Sequence, residues 1–580
     1  MPIFLATWGG LAVALIFLTA CGYGPALALR PMLRFAAPAS ALLGVAAITL
    51  GTLFGYYALR WPLLTAGIAA GIAALAVSLL LIWENRAEIA LREIAWTLAG
   101  LAVAAAGFAW FSGAAAILLG EPALLYVDGT DHIGYANYAG WMADHLATER
   151  AAADPLVDYP NLPEILTRVD TRFGAFALLG LASAVTGLPP VFAYDGLCAV
   201  LLVAGIAGVA AAFARTVAGF ALIAAALFLS NWFELSHAGF LGKLGAFPMT
   251  LLLVGLLLSR EGGFTPLRLL LITVIAMASA LLLAAWATVA VTGLFVGTMI
   301  AVRTFFERTL DRDRLAALLL TGLSAFAGGG FLASPRMGFP VARGGTSILN
   351  LLSTTDIFGI FTRVHIVFGY VALLLSAAGV AYLLLQAFRA RDSVSVSLLF
   401  WPFILPGIFF ITLRGNLLLQ FGGILFPAAV AGAVALLPER LALRRANSVL
   451  PLLVFLILLR APHGVAAYLR YTSPSLIAAS GYGEAEMATI ADAAAGRPLL
   501  VDLGRDVHAI NVVMVELGRR GVAMQWTPED FHVLNGGWHP EWTPPVYPAP
   551  APLRLIARDA PGARSAASVT PHFAIVPNNG

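Results

Sequence analysis

Apolar residues recur along this chain in runs long enough to cross a bilayer, separated by short polar turns. About 17–25 apolar residues cover the hydrocarbon core as a helix, the one open-ended conformation that satisfies its own backbone there. The sequence is 60% hydrophobic and 11% charged over 580 residues, whereas soluble domains carry about 25% charged residues. Its mean hydropathy is +0.89. A soluble enzyme with a single anchor is excluded. The net charge of +3 is small and scattered, so nucleic acid is not an expected partner. Cys21 and Cys198 both lie in apolar runs, which leaves neither a disulfide framework nor a cysteine metal cluster.

The runs predict an α-helical polytopic membrane protein of about 13–14 transmembrane helices. Four runs come first, at 3–21, 36–58, 61–83 and 95–119. The first lacks a basic leader and reads as a span, not a signal peptide. A crowded middle follows: 173–188, 190–214, 216–232, 246–258 and 266–302. The last of these is long for one crossing and short for two, which suggests a broken or re-entrant segment. Further runs are 315–332, 364–388, 396–413, 416–437 and 447–460. Arginines at 30, 34, 86, 92, 303, 308, 312, 314, 389, 391, 440, 444 and 445 mark one side, which the positive-inside bias makes cytoplasmic. Alternation then puts 121–172, 333–363 and the C-terminal region on the other side. Four parts result: N-terminal helices (1–120), an extracytoplasmic acidic loop with an interfacial helix (121–172), a transmembrane core with an outer loop at 333–363 (173–460), and a soluble domain (461–580).

Polarity is concentrated in 121–172, around Tyr126-Val-Asp128-Gly-Thr-Asp131-His132-Ile-Gly-Tyr135. Polar groups at a membrane edge cost free energy unless water, a partner or a substrate receives them. A carboxylate there could serve as general base toward a hydroxyl. Asp128 and Asp131 together could hold a divalent cation, magnesium or manganese, through oxygen ligands. The plain alternative stays open: Asp128-Gly129 is a good turn, and Asp131 a good cap for the next helix. His132 could assist at the site, or be merely hydrogen-bonded. The segment His132–His145, with Tyr135, Tyr138 and Trp141, reads as a helix along the interface. It would either wall a lateral entrance or simply anchor the chain.

Arg168 and Arg172 close the loop, and Arg336, Arg343 and Arg363 punctuate the later one. Guanidinium groups bind phosphate oxygens in pairs; lipid headgroups are the other partner they would find outside. His237 and Lys243 sit between two apolar runs, in a re-entrant turn contributing to the site or in an ordinary short loop. In the C-terminal domain, Pro498–Gly504 reads as a strand, Val507–Arg519 as an amphipathic helix and Gly521–Trp526 as a second strand, a βαβ start. Leu553–Ala557 and Phe573–Val576 add strands, making a small α/β domain. No GxGxxG follows the first strand, so a nucleotide site is unsupported, and a lid or docking module is expected.

The run Asp128-Gly-Thr-Asp131-His-Ile-Gly-Tyr135-Ala-Asn-Tyr-Ala, with His237-Ala-Gly-Phe-Leu-Gly-Lys-Leu-Gly-Ala-Phe-Pro, resembles the GT-C superfamily of integral membrane glycosyltransferases over about residues 95–526. Such enzymes usually place one span before the acidic loop; here there are four. The resemblance implies inverting transfer of a sugar from a polyprenyl-phosphate donor to a glycan, lipid or protein hydroxyl, at the outer face of a bacterial inner (plasma) membrane. It implies Asp131 or Asp128 as base and outer-loop arginines on the leaving phosphate. Two alternatives remain: a transporter or flippase of lipid-linked sugars, and a polysaccharide polymerase or ligase working through 333–363.

Overall fold

The computed structural model describes residues 2–125, 131–149, 172–214, 217–228, 241–259, 263–283, 285–308, 310–332, 469–535, 546–547 and 549–578. The spans expected between 364 and 460 lie outside the described residues. Helices run α1 (Pro2–Ala28), α2 (Ala36–Leu53), α3 (Leu63–Glu84), α4 (Leu91–Ser112) and the short α5 (Ala114–Leu119). After strand β1 (Ala123–Leu125) come α6 (Asp131–Asp144), α7 (Phe173–Thr186), α8 (Pro190–Phe213), α9 (Val217–Phe228) and α10 (Leu241–Leu258). Then follow α11 (Pro266–Leu282), α12 (Ala285–Thr292), α13 (Thr298–Val302) and α14 (Arg312–Leu332).

Among the described residues, six helices are long and apolar enough to cross a membrane: Leu5–Ala28, Ala36–Ala58, Leu63–Glu84, Leu91–Ser112, Pro190–Phe213 and Leu241–Leu258. The outermost of these leave Ile68, Ile72, Leu80 and Val103 more than half exposed, as lipid-facing helices do. Every residue of α10 is buried, so this helix, apolar on nearly all sides, is the centre of the bundle. The long run 266–302 is broken near Leu283. Three hydroxyls tie the break to α10: Ser279 Oγ donates to the Ala246 carbonyl (3.0 Å) and lies 2.8 Å from Thr250 Oγ1 and 2.9 Å from Thr288 Oγ1.

One end of the bundle is tied by ions. Arg30 hydrogen-bonds Glu93 (3.1 Å), whose other oxygen accepts the Ala37 N–H (2.8 Å). Arg268, at the start of α11, donates to the Ala28 carbonyl (3.2 Å). The opposite end carries α6. There Tyr56, in the last turn of the second span, donates its hydroxyl to the His145 carbonyl (3.0 Å).

The C-terminal domain adds α15 (Pro474–Ser480), β2 (Gly481–Gly483), α16 (Glu484–Ala494), β3 (Leu499–Asp502), α17 (Val507–Arg519), β4 (Met524–Trp526), α18 (Pro528–Asn535), β5 (Leu553–Ala557), β6 (Ser568–Val569) and β7 (Phe573–Pro577). The sheet order is β4-β3-β5-β7-β6, with β3 parallel to β4 and β5, and β7 antiparallel to β5 and β6. The expected βαβ start and both later strands are present. At the turn after β3, Gly504 (φ 62°) and Arg505 (φ 69°) are left-handed. The buried Asp530 carboxyl accepts the N–H groups of Leu503 (2.6 Å) and Arg505 (2.9 Å). A nucleotide phosphate would need those donors at a βα turn, so this turn is already filled.

This domain is fastened to the bundle through the chain that leads into the acidic loop. β1 pairs antiparallel with β2, Ala123 opposite Gly483 and Leu125 opposite Gly481. The first N–H groups of α16 find partners across the joint: Glu484 N–H donates to the Pro122 carbonyl (2.8 Å) and Ala485 N–H to Glu121 Oε2 (2.7 Å). Those donors have no partner within the helix itself. Leu124, Ala136, Val191 and Phe192 complete one apolar cluster with Tyr482, Met487 and the α17 stripe. A Cβ on Gly483 would land on the Glu121 carboxyl. Gly483→Ala should therefore displace Glu121 and weaken the joint by about 1.5–3 kcal/mol, the worth of a hydrogen bond to a charged group. Hydrogen exchange over 481–494 should speed up accordingly; unchanged exchange there would contradict the clamp.

Candidate functional site

α6 begins at Asp131, where a capping aspartate would start it. Its first two turns are sunk into protein. His132, Tyr135, Ala136, Tyr138, Ala139 and Met142 are all buried, so one face of the expected interfacial helix packs into protein. Small residues permit this: a Cβ on Gly180 of α7 would meet the Ala139 carbonyl at 2.7 Å. Tyr138 stacks on Phe176 (4.5 Å between ring centres), and Tyr135 also contacts it (5.3 Å). On the far side, Ala136 enters the core of the C-terminal domain.

Four sequence-predicted residues meet here from three separate stretches. The His132 ring lies 4.6 Å from that of Tyr194, in the second turn of α8, and Tyr135 lies 6.3 Å from the same ring. The Arg172 guanidinium sits over the Tyr135 ring at 5.9 Å, close enough for a cation–π contact. Arg172 precedes α7 with φ 70° and ψ 13°, a left-handed conformation that costs a non-glycine residue about 1 kcal/mol or more and persists where the surroundings hold it. The Tyr135 hydroxyl accepts the Gly242 N–H (3.0 Å), which brings the first turn of α10 and the buried Lys243 beside α6. α10 starts five residues earlier than the apolar run at 246 suggests, so Lys243 belongs to a helix and not to a loop.

Asp128, Arg168, His237, Arg336, Arg343 and Arg363 lie outside the described residues, as does the side chain of Asp131. Among the described residues no three His, Cys, Asp or Glu side chains gather to hold a metal ion. The magnesium or manganese reading of Asp128 and Asp131 falls outside that set.

One further acidic residue lies one position along α8 from Tyr194. Asp195, next to Tyr194 on α8, is 5% exposed, and neither carboxyl oxygen has a hydrogen-bond partner. The sequence carried a signal for it: Asp195 is the one charged residue between Arg172 and Arg215, and an ionisable group inside a span marks a site by default.

Fold and site together define an integral membrane protein, an α-helical polytopic bundle with a small α/β C-terminal domain docked over a buried polar cluster. The chain matches no family model and no curated protein. Among solved structures it is similar to the apo oligosaccharyltransferase of Archaeoglobus fulgidus, at 13% identity and a TM-score of 0.41, over 73% of this chain and 64% of that one. The same enzyme in complex with zinc and sulfate aligns at 13% identity and a TM-score of 0.34, over 72% and 62%. The chain spans less than two thirds of the length of those chains, and a likeness at this level assigns neither family nor activity.

Proposed function

We propose that this protein is a GT-C-like membrane glycosyltransferase. It would move a sugar from a polyprenyl-phosphate donor to the hydroxyl of a glycan, lipid or protein acceptor. One observation supports the reading. The stretch after Asp131, the arginine that ends the acidic loop and the lysine that opens α10 converge beneath the docked C-terminal domain, at one end of the bundle. In this reading that end is the outer face of a bacterial inner membrane, and 461–580 form an extracytoplasmic docking domain.

Asp131, or Asp128, removes the proton of the acceptor hydroxyl as its oxygen attacks the anomeric carbon. The bond from that carbon to the phosphate oxygen breaks, the anomeric centre inverts, and polyprenyl phosphate departs. Arg172 and Lys243, with Arg168, Arg336, Arg343 and Arg363 from the loops and His237 from the turn before α10, receive the phosphate charge. His132, packed on Tyr194, fixes the first turn of α6 and so positions Asp131; Tyr135 holds α10 in place.

The test uses the full chain in liposomes with a donor labelled in both sugar and lipid, supplied with envelope glycans, lipids or peptides as acceptors. Transfer releases bare polyprenyl phosphate and moves the sugar label to the acceptor. A flippase would move the intact donor between leaflets with no release, and that result would overturn the proposal.

A further inference from the structure

The first turn of α16 is gripped from two sides. On one side, the N–H groups of Glu484 and Ala485 reach Pro122 and Glu121 at the root of β1. On the other, the buried Glu486 carboxyl accepts three hydrogen bonds from the turn between β6 and β7. Its donors are the Thr570 hydroxyl (2.6 Å), the His572 backbone N–H (2.7 Å) and His572 Nδ1 (2.8 Å). A carboxylate only accepts, so Nδ1 carries the hydrogen. The same imidazole leans on the joint itself: it lies 4.9 Å from the ring of Tyr482 in β2, and Tyr482 stands opposite Leu124 of β1. The C-terminal sheet thus meets the β1–β2 joint through a histidine and a buried glutamate.

The charge on that histidine decides how strong the contact is. The Glu486 and His572 side chains are 3% and 16% exposed, so water and salt screen the pair little. Among the described residues, the ion pair of Glu486 is with His572. With an imidazolium the bond is charge-assisted, about twice as strong as a neutral one. With a neutral ring, the buried carboxylate keeps only neutral donors, which costs free energy. Glu486 from α16 and the Ala478 carbonyl from α15 favour the charged ring. Tyr482 from β2 offers it an aromatic face, and α15 has no ionisable side chain. Arg558, just after β5, disfavours it and is held close, its backbone N–H donating to the His572 carbonyl (2.8 Å). The hydrogen bond to Glu486 outweighs burial and Arg558, and holds His572 protonated above its ordinary value of 6.5. A group raised in this way stabilises the fold fully below its unfolded value, and that contribution is lost as pH rises through the folded one.

We infer that His572 and Glu486 form a pH-sensitive latch between the C-terminal sheet and the joint that fastens this domain to the bundle, closed in acid and loosened toward alkaline pH. Its output is the root of the acidic loop, since β1 ends at Leu125 and α6 opens at Asp131. The latch does not depend on the chemistry proposed for the site.

Hydrogen exchange of the full-length protein in nanodiscs tests it, with protection taken as the ratio of intrinsic to observed rate so that pH acts only through structure. Between about pH 5.5 and about pH 8.5, wild type should lose roughly fivefold to tenfold of its protection over 481–490 and 570–577, the difference between a charge-assisted and a neutral bond. Glu516→Gln should keep that loss, which separates the latch from the other carboxyl that titrates in this domain. His572→Asn retains a donor but no titrating charge, and should show the alkaline wild-type level at both pH values. A further measurement reads the wild type directly: exchange of the imidazole C2 hydrogen, followed by mass spectrometry across pH, reports the titration of His572. Its midpoint should lie above 6.5, and Glu486→Gln should bring it to that value or below. Wild-type protection that is flat with pH, a loss that persists in His572→Asn, or a wild-type His572 that titrates at or below 6.5 overturns the latch.

Discussion

Asp131→Asn should lower the rate of sugar transfer by about 10²–10⁴-fold, the usual contribution of a positioned general base, with little change in melting temperature. The substitution separates the two roles open to this residue. Asparagine caps a helix about as well as aspartate, so a purely capping Asp131 would lose almost nothing. An amide cannot accept a proton at neutral pH, so a catalytic Asp131 would lose nearly everything. Initial rates of label transfer at saturating donor, alongside the thermal melt of each protein, decide between them. Because α6 starts at this residue and its next turn is buried against Tyr194 and Phe176, Asp131→Ala would confound the roles by removing both cap and base. Should Asp131→Asn transfer sugar normally, the same measurement on Asp128→Asn becomes decisive for the loop.

Glu516→Gln should stabilise the C-terminal domain above pH 7. Glu516 on α17 is 1% exposed, and both its oxygens lack a hydrogen-bond partner. Arg520 approaches to 3.8 Å, too far for a hydrogen bond. Burial pushes the carboxyl up to about 7; the Arg520 and Arg519 guanidinium groups pull it partly back, and the Glu484 carboxyl opposes them. The unfolded chain releases this proton near pH 4.5, while the folded domain keeps it until about pH 7. Folding therefore loses stability as pH rises through that window, and above it the loss is complete, about 3 kcal/mol. Glutamine keeps the shape and removes the charge. Melting curves of the full-length protein at pH 5, 6, 7 and 8 should diverge from wild type progressively toward high pH and converge toward pH 4. A constant offset at all four values would mean that Glu516 does not titrate in this window. Since α17 touches α6 through the shared apolar cluster, its strength also bears on how firmly the site is covered.

Local pattern carried much of the architecture. The second span runs Ala36–Ala58, as the apolar run predicts, because eighteen or more apolar residues have one stable fate in a bilayer. Val507, Ile510, Val513, Met514 and Leu517 repeat at helical spacing, and all are buried or nearly so in α17. What escaped the sequence is non-local. β1 and β2 have three residues each, too few for a periodic signal, and their pairing joins segments far apart in the chain. The packing of α6 into protein depends on that joint and on close approach at Gly180, neither of which hydropathy registers. Lys243 was legible as a polar group between runs; its seat in the first turn of α10, held through Gly242 and Tyr135, was not. Asp195 is visible in the sequence as a lone charge in an apolar run, but nothing in the residues beside it says what it faces.

The central claim is that a lipid-linked sugar occupies the space where α6, α8 and α10 meet. Photolabelling of the full-length protein in nanodiscs, with a diazirine placed on the sugar of a polyprenyl-phosphate donor, tests it most directly. Labelled peptides should map to 131–146, 172–200 and 241–250, and excess unlabelled donor should abolish the labelling. Label confined to 333–363, or spread over the lipid-facing surfaces of α3 and α4, would contradict the account.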